Sequence, residues 1–385
     1  MRTDSASMKN INVAISIHIS DIPGVSIWSN GAMQHAIFLC QLLENIPYIN
    51  NVWLVTYGSY DGDEKWLLED YSKRIVHIKN VVNDVDLLIE MTEPLTSEDV
   101  DTVSANGGKF ITYRIGHSYV RVVESVLFDA HNNWAANPNN LKADAIWTNA
   151  QFEYSCGSFF EVTYNSKLVV LPHLWSPFFL KKALSGNPRS ALGWPYSHKT
   201  DKIKISIFEP NLSVVKTTLI PFLISAEYYK KYKEQVSNIF MYNTLITKDI
   251  EAFKKIVMNT DAGRDRVATC EGRYSIVDAL GQEGGVVVSH HWENGLNYLF
   301  YEALYGGFPL VHNSDFLKDY GYYYEGFDIN DGVRALENAV AEHNNNLNSY
   351  KKKSSLFLET VNPNARGVIN SYDKAIRNLF HHSAA

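Results

Sequence analysis

One segment, residues 286–312, restricts the architecture of this chain more than any other. It begins with a β-branched run at 286–289, passes through a short polar loop that contains glycine, and becomes an apolar helix with a single carboxylate, Glu302. A Gly-Gly-Phe-Pro stretch at 306–309 ends that helix, and apolar residues follow it. The pattern predicts a strand–loop–helix–strand unit of a parallel α/β sheet.

The loop of this unit has the chemistry of an anion site. The stretch Asn294, Gly295, Leu296, Asn297 falls where the helix is predicted to begin, and backbone N–H groups at a helix N-terminus bind phosphate. Glu302 lies about two turns further on, where a carboxylate can bind ribose hydroxyls. A carboxylate on an otherwise apolar helix needs a partner. The pattern favours a nucleotide-sugar site over the same unit without a ligand.

The unit resembles the nucleotide-sugar site of GT-B glycosyltransferases, above all the large retaining group. That group has a Glu-Gly-Phe-Gly-like loop, a short helix, and then Glu-Ala-x-x-x-Gly-x-Pro-Val. The second half is matched by Glu302, Ala303, Gly307 and Pro309. In the first half, alignment on Glu302 puts Asn294 at the position of the family's first Glu. Either Glu293 takes the role of that Glu after a one-residue shift, or Asn294 makes its contact with the ligand. The chain is also similar to a bacterial family of uncharacterised GT-B-like proteins with a Trp-Glu-Asn loop before the same helix.

Bulk properties are those of a cytoplasmic enzyme. The chain has 385 residues, which favours two domains. Its net charge of −7 argues against a general nucleic-acid binder. The 3 cysteines are widely spaced and odd in number, which indicates a reducing compartment and no zinc site. We find neither a signal-peptide pattern nor an apolar stretch of membrane-spanning length, so we expect no transmembrane segment.

Strands and helices alternate along the chain, which predicts an α/β fold of doubly wound, Rossmann-like parallel sheets. Predicted strands cover residues 12–19, 51–56, 75–78, 86–90, 110–115, 145–148, 168–171, 203–208, 238–242, 286–289 and 309–312. Predicted helices cover residues 31–43, 217–232, 248–258, 296–305, 331–343 and 362–379. We expect a helix C-cap and turn at 344–346, and Asn362 as the N-cap of the last helix.

The domain boundaries follow from these elements. We predict an N-terminal Rossmann-like domain over residues 8–175, a Pro/Gly-rich linker over 176–200, a C-terminal domain over 201–360 and a last helix over 361–381. The resemblance implies GT-B architecture, in which the two domains face a cleft. It further implies that the nucleotide sugar binds the C-terminal domain, that the acceptor binds the N-terminal one, and that the last helix crosses back to the N-terminal domain.

The resemblance also implies cations near the leaving diphosphate. Retaining GT-B enzymes carry Arg and Lys after the strand that corresponds to 203–208. Lys216 matches the Lys, whereas Pro210 or Asn211 replaces the Arg. Because a leaving diphosphate develops negative charge, another cation must meet it, and Arg273 is a candidate. Tyr274 could stack on the base. The alternatives are solvated surface charge for the two cations and simple packing for Tyr274.

The N-terminal half offers further candidates. His117 follows the strand at 110–115, where relatives often place a His that contacts the donor sugar. In an inverting enzyme His117 or Asp21 would be the general base. Gly31 could approach the sugar through its backbone, and His173 could line the cleft. For His117 the alternative is a His that bonds the backbone and has no role in catalysis.

We expect neither a metal nor a cofactor apart from the nucleotide-sugar substrate. His290 and His291 are adjacent on a strand end and should point to opposite sides. Asp-x-Asp pairs at 61/63, 84/86 and 99/101 do not end strands as metal-binding pairs do. No dinucleotide-binding glycine fingerprint follows the first strand.

The leading hypothesis is a metal-independent glycosyltransferase, a hexosyl- or pentosyltransferase, with retention favoured over inversion. The alternatives are an inverting enzyme, a nucleotide-sugar epimerase and a non-catalytic sugar-nucleotide-binding relative. Family association favours a glycan or lipid-linked acceptor in polysaccharide biosynthesis. A modified nucleobase of phage DNA is a less favoured acceptor because of the acidic net charge. A homodimer is compatible with the sequence.

Overall fold

The computed structural model describes residues 9–19, 27, 31–58, 68–129, 138–197 and 202–381. The chain divides into two compact units. Unit 1 comprises the described parts of Met1–Ser176 and Thr360–Ala385, and unit 2 comprises those of Pro177–Glu359. Each unit contains its own sheet, and every strand pair in both sheets is parallel. The prediction of α/β architecture with parallel sheets is confirmed.

The sheet of unit 1 has seven strands in the order β3-β2-β1-β4-β5-β6-β7. They are β1 (Ile11–Ser16), β2 (Ile49–Thr56), β3 (Ile75–His77), β4 (Leu87–Glu90), β5 (Lys109–Arg114), β6 (Ala145–Asn149) and β7 (Leu168–Leu171). The inner strand β1 pairs with β2 on one side and β4 on the other, so that Val13 lies between Val52 and Leu87. Helices cover both faces, and the inner strands β1, β4, β5 and β6 are accordingly buried along almost their whole length.

Four helices connect the strands of unit 1: α1 (Gly31–Leu43), α2 (Ser97–Ala105), α3 (Ser118–Phe128) and α4 (Ala150–Tyr164). Helix α1 has the bounds that the apolar periodicity predicts, and 10 of its residues are buried. Thr96 caps α2, because its side chain accepts a hydrogen bond from the Asp99 amide. These helices close the two faces of the sheet and leave the strand ends for the loops.

The chain enters unit 2 through helices α5 (Phe178–Gly186) and α6 (Pro188–Ala191). Both helices lie within the predicted linker at 176–200, and the structure assigns them to unit 2. The Asn187 side-chain NH₂ group donates to the Asp278 carboxylate at 2.5 Å, and the Ser190 hydroxyl donates to the same oxygen at 3.0 Å. A Cβ on Gly193 would lie 1.8 Å from the Gly281 carbonyl oxygen, so glycine is required for this approach.

The sheet of unit 2 has six strands in the order β10-β9-β8-β11-β12-β13. They are β8 (Ile203–Ile207), β9 (Val236–Met241), β10 (Ala268–Cys270), β11 (Val286–Val288), β12 (Leu310–His312) and β13 (Tyr322–Tyr323). The chain builds outward from β8 through β9 to β10 and then returns to place β11 on the other side of β8. The carboxyl ends of β8 and β11 therefore form a topological switch point, where open α/β sheets bind ligands.

Six more helices belong to unit 2: α7 (Leu219–Lys231), α8 (Glu251–Met258), α9 (Asp261–Arg264), α10 (Ile276–Glu283), α11 (Tyr298–Gly306) and α12 (Ile329–Glu359). The prediction that α12 ends in a turn at 344–346 is wrong. The helix continues because Tyr350, Ser354 and Phe357 extend its buried face. Tertiary packing thus overrides the weak helix propensity of the three asparagines.

The last helix, α13 (Arg366–His381), belongs to unit 1. Its Tyr372 hydroxyl donates to the Pro172 carbonyl at 2.8 Å and lies 2.6 Å from the Tyr113 hydroxyl. The prediction that Asn362 caps this helix is wrong. The Asn362 side chain accepts from the Asn364 amide at 3.0 Å and forms a turn before the helix. No helix among the described residues has the length and apolar character needed to cross a membrane.

Candidate functional site

The loops after β8 and β11 are bonded to each other at the switch point. Glu209, only 1% exposed, follows β8 and accepts hydrogen bonds from the Ser289 hydroxyl and from the His290 amide at 3.0 Å. A second bond joins the Trp292 amide to the Val215 carbonyl at 2.9 Å. These contacts fix the register of the two loops, so the residues between them occupy defined positions.

Burial of Glu209 has an electrostatic consequence. It raises the pKa of this carboxyl to about 7, whereas the bonds from Ser289 and His290 and the charge of Lys216 oppose the rise. The two hydrogen bonds and the nearby cation both lower the pKa of Glu209. Loss of either would raise that pKa and favour the neutral carboxyl. Glu209 therefore holds the two loops together and also contributes to the charge at the switch point.

Asn211 has a structural role in the loop after β8. It adopts a left-handed φ of 54°, and its side-chain amide donates to the Glu209 carbonyl at 2.9 Å and to the Thr218 hydroxyl at 2.8 Å. Its side-chain oxygen accepts from the Thr218 amide at 2.9 Å. Asn211 therefore shapes the loop that presents Lys216.

Lys216 is the cation of the switch point. It is half-buried, and among the residues described here no carboxylate lies within ion-pair distance of its ammonium group. Burial lowers the pKa of Lys216 to about 8, and the negative charge of Glu209 opposes this shift. Its positive charge also lowers the pKa of His291. An ammonium without a direct counter-ion in this position is suited to bind an anionic ligand.

The loop before α11 uses some of its polar groups internally. Helix α11 begins at Tyr298 and not at Leu296, and the Asn297 side chain caps it by accepting from the Leu299 amide at 3.2 Å. The Asn294 amide donates to the His291 ring at 3.0 Å. One backbone group that the sequence assigns to phosphate binding, the Asn294 amide, is therefore already bonded within the loop.

Gly295 is packed closely against the side chains of Ser314 and Phe316. A Cβ there would lie 2.8 Å from the Ser314 hydroxyl and 2.9 Å from the Phe316 ring, so only glycine fits. The Ser314 hydroxyl donates to the Gly295 carbonyl at 2.6 Å. The Gly295 amide has no acceptor among the residues that the structure describes. Leu296, the next residue, is buried.

Glu293 and Asn294, the two candidates for the family's first Glu, differ in backbone conformation. Glu293 has a left-handed φ of 52°, which costs a non-glycine residue about 1 kcal/mol. Both side chains are half-buried, and neither has a hydrogen-bond partner within the described ranges. Either side chain can therefore still contact a ligand, and the register question remains a prediction.

Glu302 is a buried carboxyl without a partner. It lies in the second turn of α11, is 8% exposed, and forms no hydrogen bond or ion pair with any residue of the described chain. Burial raises its pKa to about 8. A carboxyl with a raised pKa beside a switch point is a candidate for ligand binding.

Arg273 and Tyr274 lie on the loop between β10 and α10, and both are exposed. Tyr274 contacts the ring of Tyr242 edge-on, with 5.8 Å between ring centroids. Tyr242 in turn stacks on Phe208 at 4.7 Å. An aromatic row therefore runs along the carboxyl ends of β8, β9 and β10, and it ends in an exposed tyrosine.

His117 has both ring nitrogens engaged within unit 1. It is the N-cap of α3, where Nδ1 accepts from the Val120 amide at 3.3 Å, and Nε2 lies 3.0 Å from the Ser155 hydroxyl. Burial lowers its pKa, so the ring is neutral and Nε2–H is the donor to Ser155. These contacts favour the alternative of a His that bonds the backbone, and a catalytic role for His117 stays a prediction.

The other candidates in the N-terminal half receive less support from the geometry. His173 is buried, and its ring centroid lies 5.1 Å from that of His35. Gly31 is the first residue of α1. Asp21 lies outside the described residues. The roles predicted for His173, Gly31 and Asp21 stay predictions.

No group of three metal-ligating side chains occurs among the residues covered by the structure. In two of the Asp-x-Asp pairs a carboxylate bonds neighbouring residues: Asp86 accepts from the Asn12 amide at 2.8 Å, and Asp99 accepts from the Tyr57 hydroxyl at 2.5 Å. Asp61 and Asp63 lie outside the described residues. Metal independence stays a prediction.

Sequence reasoning missed two residues of the switch point, Glu209 and His291. Glu209 directly follows a buried strand that begins a second α/β series, and polar residues at such strand ends are binding candidates. That signal was available in the sequence. For His291 no signal existed, because its importance depends on which ring nitrogen is bonded.

Comparison with solved structures identifies the fold. The crystal structure of Anabaena HepE in complex with UDP-glucose is 13% identical, with a TM-score of 0.54 over 96% of this chain and 100% of HepE. That of WaaG, a glycosyltransferase involved in lipopolysaccharide biosynthesis, is 9% identical, with a TM-score of 0.52 over 94% of this chain and 98% of WaaG. An O-GlcNAc transferase mutant from Thermobaculum terrenum is 12% identical, with a TM-score of 0.50, and the alignment covers 98% of this chain and 69% of that one. The chain has the GT-B fold of these glycosyltransferases, as the sequence predicts.

Residues 13–376 match the model of a protein family described as Protein of unknown function (DUF2827), and the chain belongs to this family. No curated protein matches the sequence significantly.

Proposed function

We propose that this protein is a glycosyltransferase that moves a sugar from a nucleotide-sugar donor to a hydroxyl acceptor. The observation that carries the proposal is Glu302, a carboxyl in the helix after the switch-point loop that bonds none of the residues the structure describes. Two facts about similar structures support it. HepE is solved with UDP-glucose bound, and WaaG is a glycosyltransferase.

Each side chain has a role in this proposal. Glu302 binds the ribose hydroxyls, and Lys216 with the Gly295 amide binds the diphosphate. Tyr274 stacks on the base at the end of its aromatic row, and Arg273 supplies the second cation. An anion bound beside Lys216 favours its charged form, so the ammonium is fully protonated once the diphosphate is in place.

We propose retention of the anomeric configuration. The bond between the sugar C1 and the diphosphate oxygen breaks, and a new bond forms from C1 to the acceptor oxygen on the same face. The acceptor proton passes to the leaving diphosphate, so no side chain need act as a base. Lys216 stabilises the charge that develops on the diphosphate. The engaged nitrogens of His117 fit a mechanism without a protein base.

Substrates are proposed by chemical class. The donor is a nucleoside diphosphate sugar, and the acceptor is a glycan or lipid-linked hydroxyl. We propose that no metal is needed, because side-chain cations and the Gly295 amide neutralise the diphosphate. We propose that the reaction takes place in the cytoplasm, where nucleotide sugars are supplied.

A panel of nucleotide sugars, incubated with the protein with and without EDTA, tests the proposal. We expect one donor to release free nucleotide and sugar slowly without an acceptor, and EDTA should not change the rate. Glu302→Gln should slow this release, whereas the matched surface variant Glu359→Gln should not. Epimerised donor without release would favour an epimerase. If calorimetry detected no binding of any nucleotide sugar, the proposal would be wrong.

A further inference from the structure

Two adjacent histidines follow β11, and each has one buried ring nitrogen that bonds none of the residues the structure describes. The unpartnered atoms are Nε2 of His290 and Nε2 of His291. Unpartnered buried polar atoms are rare in folded proteins. The hydrogen bonds of the other nitrogen decide whether each orphan atom is a donor or an acceptor, since a neutral imidazole has one of each.

His290 presents an acceptor. The Tyr324 hydroxyl donates its only proton to the Ser289 carbonyl at 2.9 Å. The contact of 3.0 Å between His290 Nδ1 and the same hydroxyl therefore has Nδ1–H as its donor. Burial lowers the pKa of His290 to about 4, so the ring is neutral and Nε2 carries a lone pair.

His291 presents the opposite tautomer. The Asn294 amide donates to His291 Nδ1 at 3.0 Å, so Nδ1 carries the lone pair. Burial lowers the pKa of His291 to about 3, with the charge of Lys216 as a further cause. The ring is neutral at physiological pH, and its proton is on Nε2. The backbone is fixed as well, because the His291 amide donates to the Asn313 side chain at 3.0 Å.

The surroundings of His291 are those of an anion site. The preceding amide bonds Glu209 at 3.0 Å and the following amide bonds the Val215 carbonyl at 2.9 Å, which brings Lys216 alongside. A Cβ on Gly295 would lie 3.2 Å from His291 Cε1, the ring carbon between the two nitrogens, so the imidazole packs next to this glycine. The ammonium group and the imidazole N–H are both donors.

We propose that His291 Nε2–H donates a hydrogen bond to a phosphate oxygen of the bound ligand, beside Lys216. The proposal rests on the nucleotide-sugar function, because that function makes the ligand a diphosphate. A neutral imidazole here adds a donor without placing a second positive charge next to Lys216. Because its pKa is far below 7, this donor does not titrate under physiological conditions.

A purely structural role for His291 predicts a different outcome. If the ring served only to accept from Asn294, any side chain that preserves the loop would leave anion binding unchanged. The substitutions His291→Gln and His291→Phe separate the two roles. Gln retains a side-chain N–H donor, whereas Phe removes both ring nitrogens at similar size. His343→Gln is the matched control, since both His343 nitrogens are bonded, to Tyr322 and to the Gly307 carbonyl.

Calorimetry of the full chain with inorganic pyrophosphate, UDP and uridine provides the test. We expect His291→Phe to weaken pyrophosphate and UDP binding about 5- to 30-fold, with no change for uridine. His291→Gln should recover part of the loss, and His343→Gln should bind like the wild type. If His291→Phe bound pyrophosphate and UDP as tightly as the wild type does, the inference would be overturned. The proposed function would not be affected by that result.

A second measurement uses the wild type and does not depend on how the variants fold. The imidazole nitrogen spectrum should show His291 as the Nε2–H tautomer, and pyrophosphate should shift that proton downfield. The Nδ1–H tautomer, or no shift at saturating pyrophosphate, would overturn the inference. The protein could bind pyrophosphate in a way that depends on His291 and yet turn over no nucleotide sugar. That result would support the anion site and contradict the proposed function.

Discussion

Glu209 accepts a hydrogen bond from the His290 amide at 3.0 Å, and this bond joins the loops on the two sides of the switch point. The same carboxylate oxygen accepts from the Ser289 hydroxyl. Glu209 also lies close enough to Lys216 for each to shift the pKa of the other. The residue therefore has a geometric role and an electrostatic one, and substitutions can separate them.

Glu209→Gln and Glu209→Ala should behave differently. Gln retains an oxygen that can accept both hydrogen bonds, whereas Ala leaves the His290 amide and the Ser289 hydroxyl buried and unsatisfied. We expect Ala to lower the free energy of unfolding by about 1–3 kcal/mol and Gln by much less. Urea denaturation of the three proteins measures this. Equal stabilities for Gln and Ala would show that the carboxylate does not hold the two loops together.

The affinity for a diphosphate should depend on the charge of Lys216. Burial lowers the pKa of Lys216 to about 8, so the free protein loses this positive charge as the pH rises through 8. UDP affinity should therefore be highest below pH 8 and decline above it, with uptake of up to one proton on binding. Calorimetry in buffers of different ionisation enthalpy measures both quantities. In Lys216→Met the affinity should be weaker and this decline absent.

Glu209→Gln extends the same test. Removing the carboxylate removes the charge that favours the protonated ammonium of Lys216. The pH at which UDP affinity begins to decline should therefore move to a lower value. Movement to a higher pH would mean that Glu209 acts chiefly by repelling the ligand.

Glu302→Gln should weaken donor binding and stabilise the free protein at alkaline pH. The loss of a charge-assisted hydrogen bond to ribose should cost about 1–3 kcal/mol of binding free energy. The folded-state pKa of Glu302 is about 8, against an ordinary value of 4.5. The wild type therefore loses stability as pH rises from 4.5 to 8, by at most about 1.4 kcal/mol per pH unit. Gln removes this loss.

Melting temperatures of the wild type and Glu302→Gln at pH 5 and pH 8 provide the measurement. We expect the difference in favour of Gln to grow with pH. A constant difference would indicate that Glu302 is ionised and paired in the folded protein. Unchanged affinity for a donor that the wild type binds would show that the register of the motif is wrong.

The strands and the GT-B fold could be predicted from sequence because buried parallel strands are continuous apolar runs. Helix α11 could be predicted because its stop signals, Gly307 and Pro309, are strong. The edge strands β10 and β13 could not, because neither contains the β-branched apolar run that marks the equally short β3 and β11. Helix α10 had a readable signal in Ser275, whose side chain caps it by bonding the Asp278 amide.

The candidate site was partly predictable. Lys216 and Glu302 follow from motif register, and the structure places both on elements that flank the switch point. The engagement of the Asn294 amide by His291 could not be foreseen, because it depends on a ring orientation within a loop. The same holds for His117, whose position after a strand indicates a ligand contact while its actual partners are a helix N-terminus and Ser155.

His117→Ala distinguishes the capping role from a catalytic one. Its side chain accepts from the Val120 amide and contacts Ser155, so its removal should lower the free energy of unfolding by about 1–2 kcal/mol. If transfer is retaining, the kcat per folded molecule and its pH profile should remain close to those of the wild type.

NMR of the product's anomeric configuration against the donor completes this test. Inversion would require a base, and loss of the true base costs about 10²- to 10⁴-fold in rate. A loss of that size in His117→Ala, with removal of the acidic limb of the pH–rate profile, would show that His117 is the catalytic base. Retention with a destabilised but active variant would agree with its position at the N-terminus of α3, where both ring nitrogens already have partners.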